Sequence, residues 1–217
     1  MLQPHTGSLL VDYYEAFLRD KDPEAFRRNV AARYNEGTLA RVLQSGDLQA
    51  RRASVFALGL FGGFGSNAAV ARGLRDPDPT VRSLADNALW AIWFRADSAE
   101  NNRALERIAT LVNLRRLRDA IDEADQLIAR SPGFAEAYNQ RAIAHFFQGR
   151  IAESIEDCKQ VLERNPYHTG ALAGMGQGQL RLGQRAEAIK TFRRALKIQP
   201  YNESLRETIA ELEADER

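Results

Sequence analysis

The sequence predicts an all-α fold, a right-handed α-solenoid of helical hairpins, and three observations lead to this prediction. Pro132, Pro166 and Pro200 recur at one constant interval, and each follows an amphipathic segment. The first half of the chain repeats with a shorter period, which relates Asp47 to Asp78. Between these marks, apolar residues recur at the three- and four-residue spacing of a helix face. Such periods are typical of stacked helical units that bury their apolar faces against one another.

The N-terminal half consists of the shorter units. Each unit has an apolar helix, a turn with an aspartate, and a second apolar helix that begins near an arginine. Equivalent positions are Leu39 and Val70, Leu43 and Leu74, Asp47 and Asp78, and Arg51 and Arg82. We expect the aspartate to cap the second helix and the arginine to reach back to it. The pattern resembles HEAT repeats of the short phycobilisome-lyase type, which implies a HEAT-like segment over residues 10–97, with a degenerate opening copy at 18–34.

A glycine-rich string, LFGGFGSNAAV, occupies residues 60–70. Glycines before a helix can hold a phosphate on their backbone N–H groups. No strand precedes this string and no Lys-Ser or Lys-Thr pair follows it, so we favour a turn between two helices. Ser66 or Asn67 is then expected to cap the second of them.

The C-terminal half consists of the longer units, each of which ends at one of the three prolines. Residues 135–166 and 169–200 are regular copies, residues 101–132 are a degenerate copy, and the tail predicts an amphipathic capping helix. The pattern resembles the tetratricopeptide repeat, which implies three repeats and a cap over residues 101–214. The two repeat types together are similar to those of bacterial proteins that combine HEAT and tetratricopeptide repeats. No Gly-, Ser- or Pro-rich linker separates the arrays, so a continuous solenoid is expected.

Small residues and glycines in the C-terminal copies have definite expected roles. Ala142 and Gly176 lie at equivalent positions of the first helix, where a small side chain permits close crossing of the second helix. Gly149 and Gly183 lie at equivalent turns, where the helix end needs a positive φ.

Composition and charge indicate an ordinary folded protein. Of the 217 residues, 44% are hydrophobic and 27% are charged, and the formal net charge is +1. This balance lacks the basic excess expected of a nucleic-acid-binding protein. The start of the chain lacks the pattern of a secretory signal, and no apolar stretch approaches the roughly 18 residues of a membrane span. We therefore expect a cytoplasmic protein without membrane insertion.

Residues for catalysis are not found in the sequence. Metal-binding motifs such as HExxH are absent, and the single cysteine, Cys158, occupies a packing position in the helical register. His145 stands where the tetratricopeptide family usually has an aromatic residue, so we expect it to pack between helices. The sequence therefore predicts no catalytic residues, no cofactor, no metal and no small-molecule substrate.

A first candidate binding patch lies in the N-terminal half. Phe56, Asp86, Asn87 and Trp90 project from the second helices, which line the concave surface of HEAT arrays. Exposed large apolar residues in a concavity usually mark a binding surface. The alternative is that Trp90 or Trp93 packs at the junction between the two arrays, and the sequence leaves both open.

A second candidate patch lies on the first helices of the C-terminal repeats, which line the groove of this family. By register, Asn139, Gln140, Phe147, Gln177 and Arg181 face that groove. Members of the family that clamp a terminal carboxylate use lysine together with arginine and asparagine. This groove has no lysine, so we do not expect it to clamp a terminal carboxylate. The side chains suit an extended peptide or a helix. A merely solvated surface is the alternative.

Three functions are compatible with this sequence. The leading hypothesis is a non-catalytic scaffold or adaptor that binds a protein or peptide partner in its concave grooves. The second is a HEAT-type lyase or accessory enzyme, which depends on fold analogy. The third is nucleic-acid binding through arginines of the N-terminal half. The candidates are Arg27, Arg28, Arg51, Arg52, Arg72 and Arg75.

Overall fold

The computed structural model describes residues 8–214. Across that range it contains thirteen α-helices, a short 3₁₀ turn at Phe64–Ser66 and no β-strand. The chain divides into two compact units, one ending at Ile92 and the other beginning at Trp93. Consecutive helices from residue 99 onward pack side by side, as do the first two and the next two helices of the chain, so the predicted all-α class of helical hairpins is confirmed. The right-handed course and the continuity of the two arrays stay predictions.

The first unit is formed by six helices, the last of which runs two residues past the boundary. Their bounds are α1 Leu9–Asp20, α2 Pro23–Ala31, α3 Glu36–Ser45, α4 Leu48–Phe61, α5 Asn67–Gly73 and α6 Pro79–Phe94. The side chains of Asp22, Asn35 and Asp47 cap α2, α3 and α4, accepting backbone N–H groups at 2.9, 2.8 and 2.9 Å. Asp78 likewise accepts from Val81 N at 2.9 Å at the start of α6. Capping by the two turn aspartates is thereby confirmed.

The predicted repeat positions lie in the core of the first unit. Leu39 and Val70 are both fully buried, and the next equivalent pair, Leu43 and Leu74, is nearly so. These apolar positions are therefore core positions, and their equivalence as repeats stays a prediction.

The repeated arginines differ from the expectation. Arg82 reaches back to its own turn, but it donates to the backbone oxygens of Asp76 and Pro77, both at 2.9 Å. Arg51 donates to the Gly46 oxygen of its own turn at 3.1 Å and, through Nε at 2.8 Å, to the carboxylate of Asp76 in the next turn. The two arginines thus bind turn carbonyls, and Arg51 also links successive turns.

The glycine-rich turn is closed by a carboxylate of the chain itself. Glu36 Oε2 accepts from Gly63 N at 3.0 Å and from Ser66 Oγ at 2.6 Å. Ser66 precedes α5, but its hydroxyl donates to Glu36 and does not cap the helix. The donors that a phosphate would need are therefore taken by Glu36, and the expected helix-to-helix turn is present.

The second unit contains three hairpins and a final helix. The bounds are α7 Ala99–Asn113, α8 Leu117–Arg130, α9 Ala135–Phe147, α10 Ile151–Arg164, α11 Thr169–Arg181, α12 Arg185–Ile198 and α13 Glu203–Ala214. Ile209 of α13 is buried in one cluster with Phe192 of α12. The last helix therefore covers the apolar face of the final hairpin, which is the expected arrangement of a cap.

The turns inside the three hairpins share one backbone conformation. Gly149 and Gly183 have φ of +80° and +71°, which confirms the expectation for these glycines. Arg115 occupies the equivalent position of the first hairpin with φ of +60°. A non-glycine residue is rarely found in this left-handed region because its Cβ crowds the backbone.

Gly176 provides the close helix contact that the repeat pattern predicts. A Cβ atom at this position would lie 2.6 Å from Cζ of Phe192, which is 1% exposed. Helix α12 therefore approaches α11 at a distance that only glycine permits.

Candidate protein-interaction surface

Phe56 is half-buried beside an aromatic cluster of the first unit. Its ring stacks on Phe17 with centroids 4.3 Å apart and lies 5.2 Å from the ring of Phe26. Tyr14 completes the group at 5.9 Å. Because α1 and α2 pack on this part of α4, Phe56 belongs to an internal aromatic cluster. The cluster holds one side of the ring, and because Phe56 is only half-buried its contact with a partner stays a prediction.

The other residues of the first patch lie on α6. Asn87 is exposed, whereas Asp86 and Trp90 are half-buried and already engaged with neighbouring groups. Their contact with a partner stays a prediction. Trp93 is 2% exposed, and its indole stacks on the imidazole of His168 at 4.1 Å. Trp93 is therefore a packing residue of the second unit, and its expected place at the junction between the two arrays stays a prediction.

Asn139 and Gln140 belong to a buried polar cluster in the second unit. The carboxylate of Glu136 is at the centre of this cluster, and Glu136 is 1% exposed. Its Oε1 accepts from Asn139 Nδ2 and from Gln140 Nε2, both at 2.8 Å. Its Oε2 lies 2.8 Å from His168 Nε2, and His168 Nδ1 accepts from the backbone N of Ala171 at 3.0 Å.

This cluster changes the expected role of the two amides. Asn139 and Gln140 are 3% and 6% exposed, so the prediction that they line an open groove is wrong. The physical reason is the buried Glu136 carboxylate, which needs several donors because an unpaired buried charge is strongly unfavourable. The amides satisfy that carboxylate and are not available to a ligand without breaking the cluster.

The remaining predicted groove residues are exposed. Phe147 is 48% exposed. Gln177 and Arg181 on α11 are also exposed. Their position at the surface agrees with the prediction, and their contact with a partner stays a prediction.

Phe147 and Arg181 are joined by two further residues into one continuous row. The guanidinium of Arg115 lies 3.7 Å from the centroid of the Phe147 ring. Phe147 meets Phe146 edge to face at 6.0 Å, and the guanidinium of Arg181 lies 4.5 Å from the Phe146 centroid. We call Arg115, Phe147, Phe146 and Arg181 the arginine–phenylalanine row. It crosses three hairpins at the ends of their first helices.

A shallow pocket of about 560 Å³ adjoins this row at the turn between α7 and α8. Three of the side chains around it are arginines. The lining residues are Arg115, Arg116, Leu117, Arg118, Asp119 and Gln148. The pocket therefore offers cationic hydrogen-bond donors beside an exposed aromatic ring.

One residue of this surface, Arg115, has a recognisable signal in the sequence that the predicted groove did not include. Arg115 lies one full repeat before Gly149, at a position where the other two copies have glycine. An arginine in place of a turn glycine indicates a side chain retained despite an unfavourable backbone conformation. Phe146, by contrast, is half-buried and has no repeat signal of its own.

Two residues with possible chemistry are packing residues. Burial and the neighbouring Asp157 raise the pKa of the Cys158 thiol to about 12, so the nucleophilic thiolate is disfavoured. His145 is 6% exposed, and its Nε2 lies 3.8 Å from the carboxylate of Asp157 on α10. Burial, together with Arg150, lowers the pKa of His145 below its ordinary value. Both expectations of a packing role are confirmed.

Two of the arginines considered for nucleic-acid binding are in ion pairs. Arg51 Nε lies 2.8 Å from Asp76, and Arg52 Nη2 lies 2.7 Å from Asp78, with all four side chains less than a quarter exposed. Their charges are therefore neutralised locally. Arg27 forms an exposed pair with Glu24.

Two other features are absent from the described part of the chain, a metal-ligand cluster and a membrane-spanning helix. Within residues 8–214, no three or more His, Cys, Asp or Glu side chains are grouped as metal ligands would be. In the same part of the chain, no helix has both the length and the apolar character needed to cross a bilayer.

Comparison with known families identifies the segment that carries most of the row. Residues 133–200 match the tetratricopeptide repeat family. The matched tetratricopeptide segment contains α9 to α12, the two regular copies predicted from the sequence. No curated protein sequence matches the chain.

Solved structures with tetratricopeptide repeats are similar in fold. The first such domain of Spaghetti (RPAP3), solved with the HSP90 peptide SRMEEVD, is 22% identical and aligns with a TM-score of 0.52 over 55% of this chain and 94% of its own. The TPR2AB domain of yeast Sti1, in a complex with pHSP90, is 20% identical, with a TM-score of 0.48 over 94% of this chain and 88% of its own. YrrB, a TPR protein with an unusual peptide-binding site, is 17% identical, with a TM-score of 0.47 over 90% of this chain and 96% of its own.

Proposed function

We propose that this protein is a non-catalytic interaction scaffold that binds a peptide or helix of a partner protein. The observation that carries the proposal is the arginine–phenylalanine row on the surface of the second unit. Phe147 is the exposed centre of this row, and Arg115 and Arg181 stand at its two ends. An exposed aromatic ring flanked by arginines has the composition of binding hot spots.

The kind of repeat supports this proposal. Helical repeats bind partners through extended surfaces to which several units contribute. The RPAP3 domain, whose fold resembles 55% of this chain, was solved with a bound peptide. The row draws on three hairpins in the same way. Gln177, exposed on α11, adds an amide to the same candidate surface.

The first unit is proposed to be a HEAT-like segment over residues 10–97, followed by three tetratricopeptide repeats and a cap over residues 101–214. The buried equivalent leucines and the linked turns of Arg51 and Asp76 support the first part. The regular recurrence of the positive-φ turns supports the second.

The proposal is tested with a double variant of the full chain, Phe147→Ser/Arg181→Ser. Both side chains are exposed, so the helical circular dichroism and the thermal unfolding should stay close to those of wild type. Tagged wild-type and variant proteins are used for quantitative affinity purification from the native cells. We expect a defined partner protein, whose retention falls at least about tenfold in the variant because truncating a hot-spot residue costs roughly 2 kcal/mol or more.

The matched control is Arg130→Ser/Arg194→Ser, which changes two exposed residues outside the row and should retain the partner. A partner that binds wild type and the row variant equally would refute the proposed site. Retention of background proteins only, in all three samples, would refute the scaffold function itself.

A further inference from the structure

The pocket beside the arginine–phenylalanine row has an excess of unpaired positive charge. Arg116 is bound to Asp119, with Nε 2.7 Å from the carboxylate. Within residues 8–214, Arg115 and Arg118 form no ion pair. The guanidinium of Arg115 lies against the Phe147 ring, and its donors remain free to bind an anionic group at the ring's edge.

Arg115 also has an unfavourable backbone. Its φ of +60° lies in the left-handed region, and the two equivalent turns use glycine. A Cβ added at Gly149 or Gly183 would meet nothing within 4 Å, so a larger side chain would not clash there. The cost of arginine at this turn is therefore one of backbone conformation. Such outliers cluster where a side chain serves a ligand.

We propose that the pocket binds an acidic segment of a partner protein, with side-chain carboxylates between Arg115 and Arg118 and a neighbouring apolar residue on Phe147. Arginine matches a carboxylate with two parallel hydrogen bonds, which makes these donors selective for Asp and Glu. The inference rests on the proposed function, since it names the chemistry of the peptide that the row receives.

The surroundings of the pocket favour a protein segment over a nucleic acid. Asp119 lines the pocket itself, and the exposed Asp122 follows one turn later on α8. Because Asp119 neutralises Arg116, only Arg115 and Arg118 remain to bind an anion, which is too few for a polyanion with a charge at each nucleotide, and the net charge of the chain is only +1. A short acidic segment can place one or two carboxylates on the arginines and avoid the acids on α8.

The decisive experiment is a selection of randomised peptides displayed on phage against the full-length protein. It is run in parallel on wild type, on Arg115→Asn/Arg118→Gln, and on the control Arg130→Gln/Arg194→Gln. Asparagine is chosen at residue 115 because it tolerates positive φ better than most other non-glycine residues do. We expect peptides rich in Asp and Glu, with an apolar residue nearby, from wild type and from the control, and loss of that enrichment with the pocket variant.

The outcomes separate the two proposals. Enriched peptides without acidic residues, or acidic peptides that the pocket variant also selects, would overturn the acidic-segment inference and leave the scaffold function standing. No enriched peptide from any of the three proteins would count against the scaffold function as well. Preferential binding of single-stranded RNA over the acidic peptides, with a steep salt dependence, would assign the pocket to nucleic acid.

Affinities are then measured by fluorescence anisotropy with one enriched peptide, acetylated and amidated so that no terminal charge contributes. Its counterpart with every Glu and Asp replaced by Gln and Asn should bind at least about tenfold more weakly, because charge-assisted hydrogen bonds are lost. The pocket variant should show the same loss, and circular dichroism should show that it is folded. Self-association of wild type that disappears in the pocket variant, seen by sedimentation, would instead make a second copy of the chain the occupant.

Discussion

Single residues control the turns of the second unit through their backbone conformation. Three equivalent turns, each one repeat from the next, have the same left-handed conformation, two with glycine and one with Arg115. Around Gly149 and Gly183 there is open space where a side chain would lie. Any effect of replacing either glycine therefore comes from its φ angle and not from a clash.

Replacing Gly149 by alanine should lower the free energy of unfolding by about 1–2 kcal/mol, because an L-residue is disfavoured at φ of +80°. The measurement is urea unfolding followed by far-ultraviolet circular dichroism. The matched control is Gly133→Ala, since Gly133 also has nothing within 4 Å of its Cβ position and has no positive φ. That control should be neutral or slightly stabilising. Equal effects of the two substitutions would contradict the explanation.

The individual residues of the candidate site were only partly predictable from the sequence. Helical register identifies the face of a helix, and on that basis Phe147, Gln177 and Arg181 were correctly expected at the surface. Register does not identify hydrogen-bond partners, so it could not indicate that Glu136 would bind Asn139 and be paired with a histidine 32 residues later. A buried acid recruits donors wherever the fold supplies them, and that information is tertiary.

Helices of the second unit pack through small residues placed at fixed repeat positions. Gly176 permits the ring of Phe192 to lie against the backbone of α11. Gly174, two residues earlier on the same helix, has only an ordinary neighbour, with Cys158 Sγ 3.6 Å from its Cβ position. Substituting Gly176 therefore tests helix packing, whereas substituting Gly174 on the same helix tests helix propensity alone.

Gly176→Ala should destabilise the protein by about 1–3 kcal/mol, because the added methyl group overlaps a buried ring. Gly174→Ala should be neutral or stabilise it by up to about 1 kcal/mol, since alanine is the better helix former. Both are measured by urea unfolding. The clash is confirmed if Phe192→Leu costs less in the Gly176→Ala background than in wild type. Strictly additive costs would show that Phe192 is not the obstacle.

Helix positions in the second unit were predictable because several independent sequence features recur with the same period. The proline after each second helix, the small residue in each first helix and the turn glycines repeat together, and they place α9 to α12 within a few residues of their observed ends. In the first unit, capping aspartates gave the helix starts. The side chains that close its turns were not predictable, because Arg51 binds an acid 25 residues later in the next turn.

The whole chain should respond to acid in two separate ranges. Burial opposes the ionisation of Asp97, but hydrogen bonds from Ser131, Ser98 and Asn101 lower its pKa below 3.8. The hydrogen bond from Arg52 lowers the pKa of Asp78 in the same direction. These carboxylates add stability that is present above about pH 4 and is lost as the pH falls further. Histidine acts in a different range.

His145 should make the protein less stable as the pH falls below about 6.5. Its pKa is lowered in the folded state, mainly by burial, so the unfolded chain takes up a proton first and is favoured in acid. The check is thermal unfolding between pH 5 and 7.5 for wild type and His145→Gln, which should depend less on pH. The exposed substitution Glu156→Gln on α10 serves as control. An unchanged pH dependence in His145→Gln would assign the effect to another group.

The stack of Trp93 on His168 gives the second unit an optical signal of its own. Only two tryptophans occur in the chain, so Trp90→Phe leaves one, buried and 4.1 Å from an imidazole ring, which red-edge excitation selects over the tyrosines. Indole emission shifts to the blue when water is excluded, and a neighbouring imidazole quenches it. The wavelength and brightness of that single fluorophore would therefore follow the buried cluster around Glu136 in real time, during unfolding or while a ligand binds elsewhere, without any attached dye.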